Sequence, residues 1–399
     1  MTQVPSQHFF PMQNVIQDYI WGSRTSISEL LGINNPENKH QAEVWMGAHP
    51  NGCSKIIVNS KAQLLSDFIK QNKSAALTTE TETQFNELPY LFKVLAANEA
   101  LSVQVHPNKK QAEIGFAKED KANIPHSAAK RNYKDPNHKP ELVYALTPYL
   151  AMNGFRELAE IILLFKKVNI SAIQDLINAF SKEVNSNGLK TFFSTLLLLH
   201  GEIKETAVKA LVEYANANKE DPLFSIILDL SNQHPGDIGL FSPLMLNVIT
   251  LQPGEAMYLT ACTPHAYIKG TGLEIMASSD NVLRAGLTAK YIDVKELVAC
   301  TQFKVTPFST LRFNPDEKGG GLYYAIPLDD FKFILYESIN NLTIQTKSAD
   351  IILALDSIVT ITQENGETAI INKGESLFIP AYTKNYQLTS EGRIARVFN

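Results

Sequence analysis

The stretch HAYIKGTGLEIMASSDNVLRAGLTAK, residues 265–290, crowds His265, Tyr267, Glu274, Asp280, Arg284 and Lys290 among glycines and small residues, where a plain core strand would be rich in Val and Ile. His265 and Tyr267 are two apart, so on an extended strand they share a face. Gly270 and Gly272 predict a hairpin that returns Glu274 towards them. A histidine, a carboxylate and a guanidinium would then converge. A polar hairpin with a surface histidine fits the same letters, so the decision rests on what lies elsewhere in the chain.

Upstream, Leu101 to Pro107 reads LSVQVHP and alternates strictly, which puts Ser102, Gln104 and His106 on one face of a strand. The segment YKDPNHKPE, residues 133–141, is a loop stiffened by Pro136 and Pro140 that delivers Glu141 to the start of a strand. Leu91 to Ala97 reads as a buried strand, and Ala62 to Lys70 as a short helix. Trp21 is assigned to the core and Glu43 to the surface. Between about Glu157 and Gln233, glycine and proline become scarce and apolar residues recur at helical spacing, as in Leu158, Ile161, Ile162 and Phe165. An all-helical insertion is expected there, with His200 partly buried at a helix end and His234-Pro235-Gly236-Asp237 closing it.

An internal repeat sets the architecture. Gly254 to His265 matches Gly374 to Asn385, small for small and apolar for apolar, with Asn385 standing where the first copy has His265. Residues 331–399 contain no histidine. The C-terminal copy is therefore read as a metal-free antiparallel jelly roll. The expected fold is mainly β with an α-helical insertion: a split β domain over 1–155 and 241–315, a helical domain over 156–240, and a second jelly roll over 316–399.

With 44% hydrophobic and 19% charged residues and a net charge of −5, the chain has the composition of a soluble globular protein. That balance argues against nucleic acid or an anionic membrane as partner, but leaves small anions open. Cys53, Cys262 and Cys300 form no CxxC pair and are odd in number, which disfavours a disulfide framework or a thiolate zinc site and favours a reducing, cytoplasmic location. The first residues, MTQVPSQHFFPMQN, do not read as a secretory leader. Apolar runs are too short to span a bilayer.

Gln104, His106, Glu141 and His265 together offer two imidazoles, a carboxylate and an amide oxygen. That set suits one divalent metal, zinc first, with manganese, iron or nickel also compatible. One carboxylate leaves the ion with net positive charge, and four protein ligands leave room for a substrate oxygen. Arg284, Lys290, Lys139 and Lys93 are more cations than a metal needs and suit an anion such as phosphate.

YKDPNHKPE and the 265–290 stretch, together with QVHP, AEVWMG and YIWGS, closely resemble the signature segments of type I mannose-6-phosphate isomerases, and the resemblance runs over almost the whole chain. It implies a zinc enzyme of the cupin superfamily, with two cupin-like domains and one Zn2+ per chain, that interconverts mannose 6-phosphate and fructose 6-phosphate. By position the family's zinc ligands fall on Gln104, His106, Glu141 and His265, and its catalytic arginine on Arg284. It places Trp21, Glu43, Lys93, Ser102, Lys139, Tyr267, Glu274, Asp280 and Lys290 in or near the pocket. Ala289 stands where the family usually has proline, which loosens the loop before Lys290.

An aldose–ketose conversion needs a proton taken from C2 and returned at C1 through an enediol or enediolate. Glu274 is the first candidate for the base, with its pKa raised by apolar surroundings; Lys139 and His138 compete. Asp280 is expected to orient Arg284 or Lys139 by ion pairing. The alternative is a non-catalytic, metal-bound cupin that binds or senses sugar phosphates. A hexose 6-phosphate is the expected partner, a monomer the expected state, and mannose metabolism, including GDP-mannose supply, the expected setting.

Overall fold

A computed structural model describes residues 6–399. Residues 1–5, the start of the segment read as lacking a leader, lie outside it. Among the described residues no helix is long and apolar enough to cross a membrane.

The chain is mainly β with a helical insertion, as expected. A 10-stranded antiparallel sheet is organised on one 13-residue strand, His265–Ala277. Along His265 to Lys269 this strand pairs with Tyr149–Phe155; from Gly270 onward it pairs with Tyr90–Ala97 on one side and, from Gly272, with Glu141–Ala145 on the other. No hairpin forms at Gly270 and Gly272. Gly270 instead marks the bend where the strand leaves one set of partners for another. Its φ is +129°, and a Cβ there would lie 2.6 Å from the Pro148 carbonyl oxygen and 2.8 Å from Tyr149 Cα. The glycine serves close backbone approach where the strand changes partners, not a turn.

A bulge between Tyr267 and Lys269 shifts the register by one residue. Because strand side chains alternate faces, one extra residue exchanges the faces beyond it. His265 and Tyr267 before the bulge thus look the same way as Glu274 and Met276 after it, although 265 and 274 differ by an odd number.

The other expectations hold unevenly. Tyr90–Ala97 is a strand buried throughout, and Leu246–Leu251 restarts the β text after the insertion. The Leu101–Pro107 strand contracts to Val103–Val105. Ala62 to Lys70 divides into a strand, Lys61–Leu64, that pairs with Lys55–Val58, and a helix, Leu65–Gln71. The predicted surface residue Glu43 is only 6% exposed. The strand Glu43–Met46 is covered on both faces, so alternation does not separate water from core there. His200 is exposed, not partly buried, at the residue before the helix Gly201–Ala217.

The insertion comprises the helices Leu158–Val168, Gln174–Lys182, Ser186–Leu197, Gly201–Ala217 and Pro222–Gln233. Its Phe165, Phe192 and Phe224 pack in one core with Val105, Phe155 and Ala266 of the sheet. The C-terminal strands enter a 9-stranded and a 4-stranded sheet. Phe10–Gln13, from the segment assigned to the first β domain, joins the 9-stranded sheet by pairing with Ser376–Ile379. The backbone therefore crosses the expected boundary, and the two β parts share core around Phe10, Phe92 and Phe378.

The repeat is visible in the register. Leu259 pairs with Glu141 in the first copy, and Ile379, its counterpart, pairs with Asp350 in the second. Asp350 is fully buried, and its carboxylate accepts from Arg396 at 3.0 Å and Tyr386 at 2.7 Å. In the second copy a guanidinium thus answers the carboxylate that stands in Glu141's place.

Candidate metal centre and cleft

One rung of the sheet assembles the site. Across neighbouring strands, Asn153 pairs with His265, His265 with Gln104, and Gln104 with Arg284. His106 follows one residue after Val103–Val105, and Glu141 opens its own strand opposite Met276. The metal-binding atoms of His106, Glu141 and His265 all lie within 4.8 Å of one another, and all three residues are buried.

The imidazoles are oriented for coordination. His106 donates from Nδ1 to the Asn281 carbonyl at 2.7 Å, and His265 from Nδ1 to the Thr263 carbonyl at 3.0 Å. Both Nε2 atoms are buried without a hydrogen-bond partner. They lie 3.3 Å and 3.6 Å from the two carboxylate oxygens of Glu141. Two orphaned imidazole nitrogens facing one carboxylate, with their other nitrogens tied to carbonyls, fit a zinc-type ion. Burial and the nearby Lys139 ammonium lower the His106 pKa to about 4, which leaves its ring neutral at physiological pH. Burial raises the Glu141 pKa, but Lys139 and His106 outweigh it and hold the carboxylate well below the ordinary range. Tyr267 donates its hydroxyl to Glu141 at 2.9 Å, and Lys139 Nζ lies 3.3 Å away.

A cleft of about 420 Å3 opens beside this centre. Trp21, Glu43, Lys93, Ser102, Gln104, Lys139, Glu141, Tyr267, Glu274, Asp280, Arg284 and Lys290 all line it. His106 and His265 stand behind this wall. Lys93 Nζ meets Glu274 at 2.7 Å and Glu43 at 3.8 Å. Burial disfavours the ammonium, but Glu274 and Glu43 more than compensate and raise its pKa. Burial raises the Glu274 pKa, with Glu141 and Glu43 adding and Lys93 opposing. The half-buried Arg284 has its pKa lowered by burial alone and remains charged. Lys290 is lowered by burial, Arg284 and Lys134.

Two roles need correction. His138 turns away from the cleft and meets Asp330 at 2.9 Å, because the rigid loop that delivers Glu141 points it at the C-terminal β part. Asp280 pairs with neither Arg284 nor Lys139. It accepts from Asn51 at 2.6 Å and lies 3.5 Å from His49, on a loop that only long-range packing brings near.

Other cleft residues were missed, among them Tyr19, Trp45, Glu99 and His234. Trp45 had a signal, since it is two residues from Glu43 and shares its face. Asn281 was passed over within its own motif. It is fully buried; its side chain bonds the backbone of Lys134, Asp135 and Asn137, and its carbonyl fixes His106. Loop hydrogen bonding of this kind leaves no periodic trace.

Comparison with known proteins gives a consistent result. The family model for the phosphomannose isomerase type I catalytic domain matches residues 9–158, that for its helical insertion domain residues 164–246, and that for the mannose-6-phosphate isomerase cupin domain residues 322–399. The mannose-6-phosphate isomerase of Salmonella typhimurium is 46% identical over 97% of this chain and 98% of its own. That of Homo sapiens is 36% identical over 93% of each. A crystal structure of the Salmonella typhimurium enzyme bound to substrate (fructose 6-phosphate) and zinc superposes with a TM-score of 0.93 at 46% identity, covering 98% of this chain and all of the other.

Proposed function

The chain belongs to the type I phosphomannose isomerase family, and from that premise we infer that it interconverts D-mannose 6-phosphate and D-fructose 6-phosphate with one zinc ion. The observation that carries this reading is the pair of orphaned Nε2 atoms facing Glu141, whose carboxylate lines the same cleft as Arg284 and Lys93. A cupin that only binds sugar phosphates is disfavoured because the relatives matched over nearly their whole length are isomerases.

His106, Glu141 and His265 would hold the zinc, with Gln104 beside them as a fourth, neutral ligand. Bound there, zinc supplies Lewis acidity towards the substrate oxygens at C1 and C2. Glu274 takes the C2 proton and returns it at C1, with Lys93 keeping it ionised. Its raised pKa brings its basicity closer to that of an effective base at neutral pH. Arg284 stabilises the negative charge that develops on the oxygens as the proton leaves. Lys139 holds the Glu141 carboxylate and faces the same space, so it is the second candidate for the proton transfer. Lys290, on the same wall as Arg284, meets the phosphate, while Trp21, Glu43, Ser102 and Tyr267 line the sugar's path, and Asp280 fixes the loop edge through Asn51 and His49.

The domain division at 1–155 with 241–315, 156–240 and 316–399 is retained as a working description. The expected setting is a cytoplasmic monomer that acts on a small sugar phosphate in mannose metabolism and GDP-mannose supply, without nucleic-acid or membrane partners.

Turnover in D2O tests the proton-transfer chemistry. Mannose 6-phosphate left to equilibrate with the enzyme is expected to acquire deuterium at C2, and the fructose 6-phosphate at C1, both read by NMR. Glu274→Gln should cut both exchange and turnover by about 10²- to 10⁴-fold. Product formed over many turnovers with no deuterium incorporated would exclude proton exchange with solvent and argue for a hydride shift.

A further inference from the structure

The exit of the helical insertion is stitched to the cleft at two places. Gln233, the last residue of the helix Pro222–Gln233, accepts from the backbone N–H of Ala100 at 2.8 Å, and His234 lines the cleft. Three residues on, Asp237 accepts at Oδ1 from the N–H of Leu287 at 2.8 Å and at Oδ2 from that of Thr288 at 3.3 Å, while also capping Gly239. The two segments touch backbone to backbone, since a Cβ on Gly286 would lie 2.5 Å from Gly239 Cα. Leu287 is held at φ +52°, a conformation costly for a branched side chain unless its surroundings enforce it. Leu287, Thr288, Ala289 and Lys290 all line the cleft.

We propose that Asp237 is a positioning residue for the anion end of the cleft: it clamps the Leu287–Lys290 loop so that Thr288 and Lys290 face the substrate's phosphate. The loop contains no proline, and Lys290 is itself exposed, so local covalent stiffness does not set its place. The clamp ties that place to the insertion, which gives the helical domain a part in substrate affinity although none of its helices supplies a zinc ligand. The inference rests on reading Lys290 as a phosphate contact.

Steady-state kinetics of the zinc-loaded full chain, with inorganic phosphate as competitive inhibitor, separate the possibilities. Asp237→Ala is expected to raise KM for mannose 6-phosphate and Ki for phosphate by about tenfold each, with kcat within about threefold and zinc content unchanged. Asp237→Asn, which keeps one acceptor oxygen, should fall between and serves if the alanine variant does not fold. In a cycle with Lys290→Ala, the double variant should be little worse than the poorer single variant, because the clamp acts through the loop. Values of KM and Ki within twofold of the parent in both Asp237 variants would overturn the proposal, as would effects of Asp237→Ala and Lys290→Ala that simply multiply. If Asp237→Ala is silent but Lys290→Ala weakens phosphate inhibition, only the clamp fails. If Lys290→Ala is silent, the phosphate reading of Lys290 fails, and the clamp's stated action with it.

Discussion

Arg284 meets Gln104 across the sheet, and burial alone shifts its pKa, so no carboxylate claims it and it is available to answer charge on the substrate. Arg284→Ala is expected to lower kcat by about 10²-fold or more while the fold survives; near-parental turnover would remove it from the mechanism. Glu274 and Lys93 form the other pair on which the proposed mechanism turns. The Glu274 pKa is raised, so its ionised, basic form is lost as pH falls through a value above the ordinary carboxylate range of about 4.3. The acid limb of the kcat profile should therefore sit above that range. Lys93 is the charge that opposes the rise, so in Lys93→Met the limb should move further towards neutral pH, read from kcat against pH; an unmoved limb would mean that another group titrates. That each of these residues lines the cleft was legible in the sequence, through spacing or through resemblance. Their partners were not. The Asp280–Asn51 and His138–Asp330 contacts join positions 229 and 192 residues apart, and no local pattern encodes such pairs.

At the level of elements, the strand His265–Ala277 concentrates the design. Its chemistry was readable, but its shape was not. Glycines in a polar stretch read equally as a turn or as places of close approach, and only the Tyr149 backbone lying against Gly270 decides between them. The bulge at Tyr267 to Lys269 is likewise a property of the pair, because it exists only relative to Tyr149–Phe155. By contrast, the alternation of Leu101 to His106 and the proline-held delivery of Glu141 are local devices, and they led to His106 and Glu141, which the fold brings together with His265. Gly270→Ala is expected to cost about 2–4 kcal/mol, from overpacking against Pro148 and Tyr149 and from a positive φ that alanine disfavours. Calorimetry should show a lower thermal midpoint, and zinc content at a given free zinc should fall with it, because the bend fixes His265 relative to Glu141. An unchanged midpoint would mean that the strand can bend elsewhere.

For the molecule as a whole, mainly-β class, helical insertion and internal repeat were all legible, since each is written in composition or periodicity. The joins between parts were not. Phe10–Gln13 lies far in sequence from Ser376–Ile379, yet it extends their sheet. The insertion likewise shares its core with the metal-bearing sheet and ends in the clamp at Asp237. The two β copies solve one electrostatic problem in different ways. At matching register, Glu141 faces two orphaned imidazoles, whereas Asp350 is neutralised by Arg396. A buried carboxylate needs a cation in either case. In the second copy Arg396 supplies it; in the first Lys139 supplies one at 3.3 Å, and the two orphaned imidazole nitrogens leave a further place beside the carboxylate to a metal.

The central claim is a zinc-dependent isomerase, and the most direct measurement is conversion of mannose 6-phosphate to fructose 6-phosphate by the purified protein before chelation, after chelation, and after zinc is returned. Activity that disappears with the metal and returns with zinc is the expected result. A zinc-loaded protein that produces no fructose 6-phosphate, or a fully chelated one that still does, would contradict it.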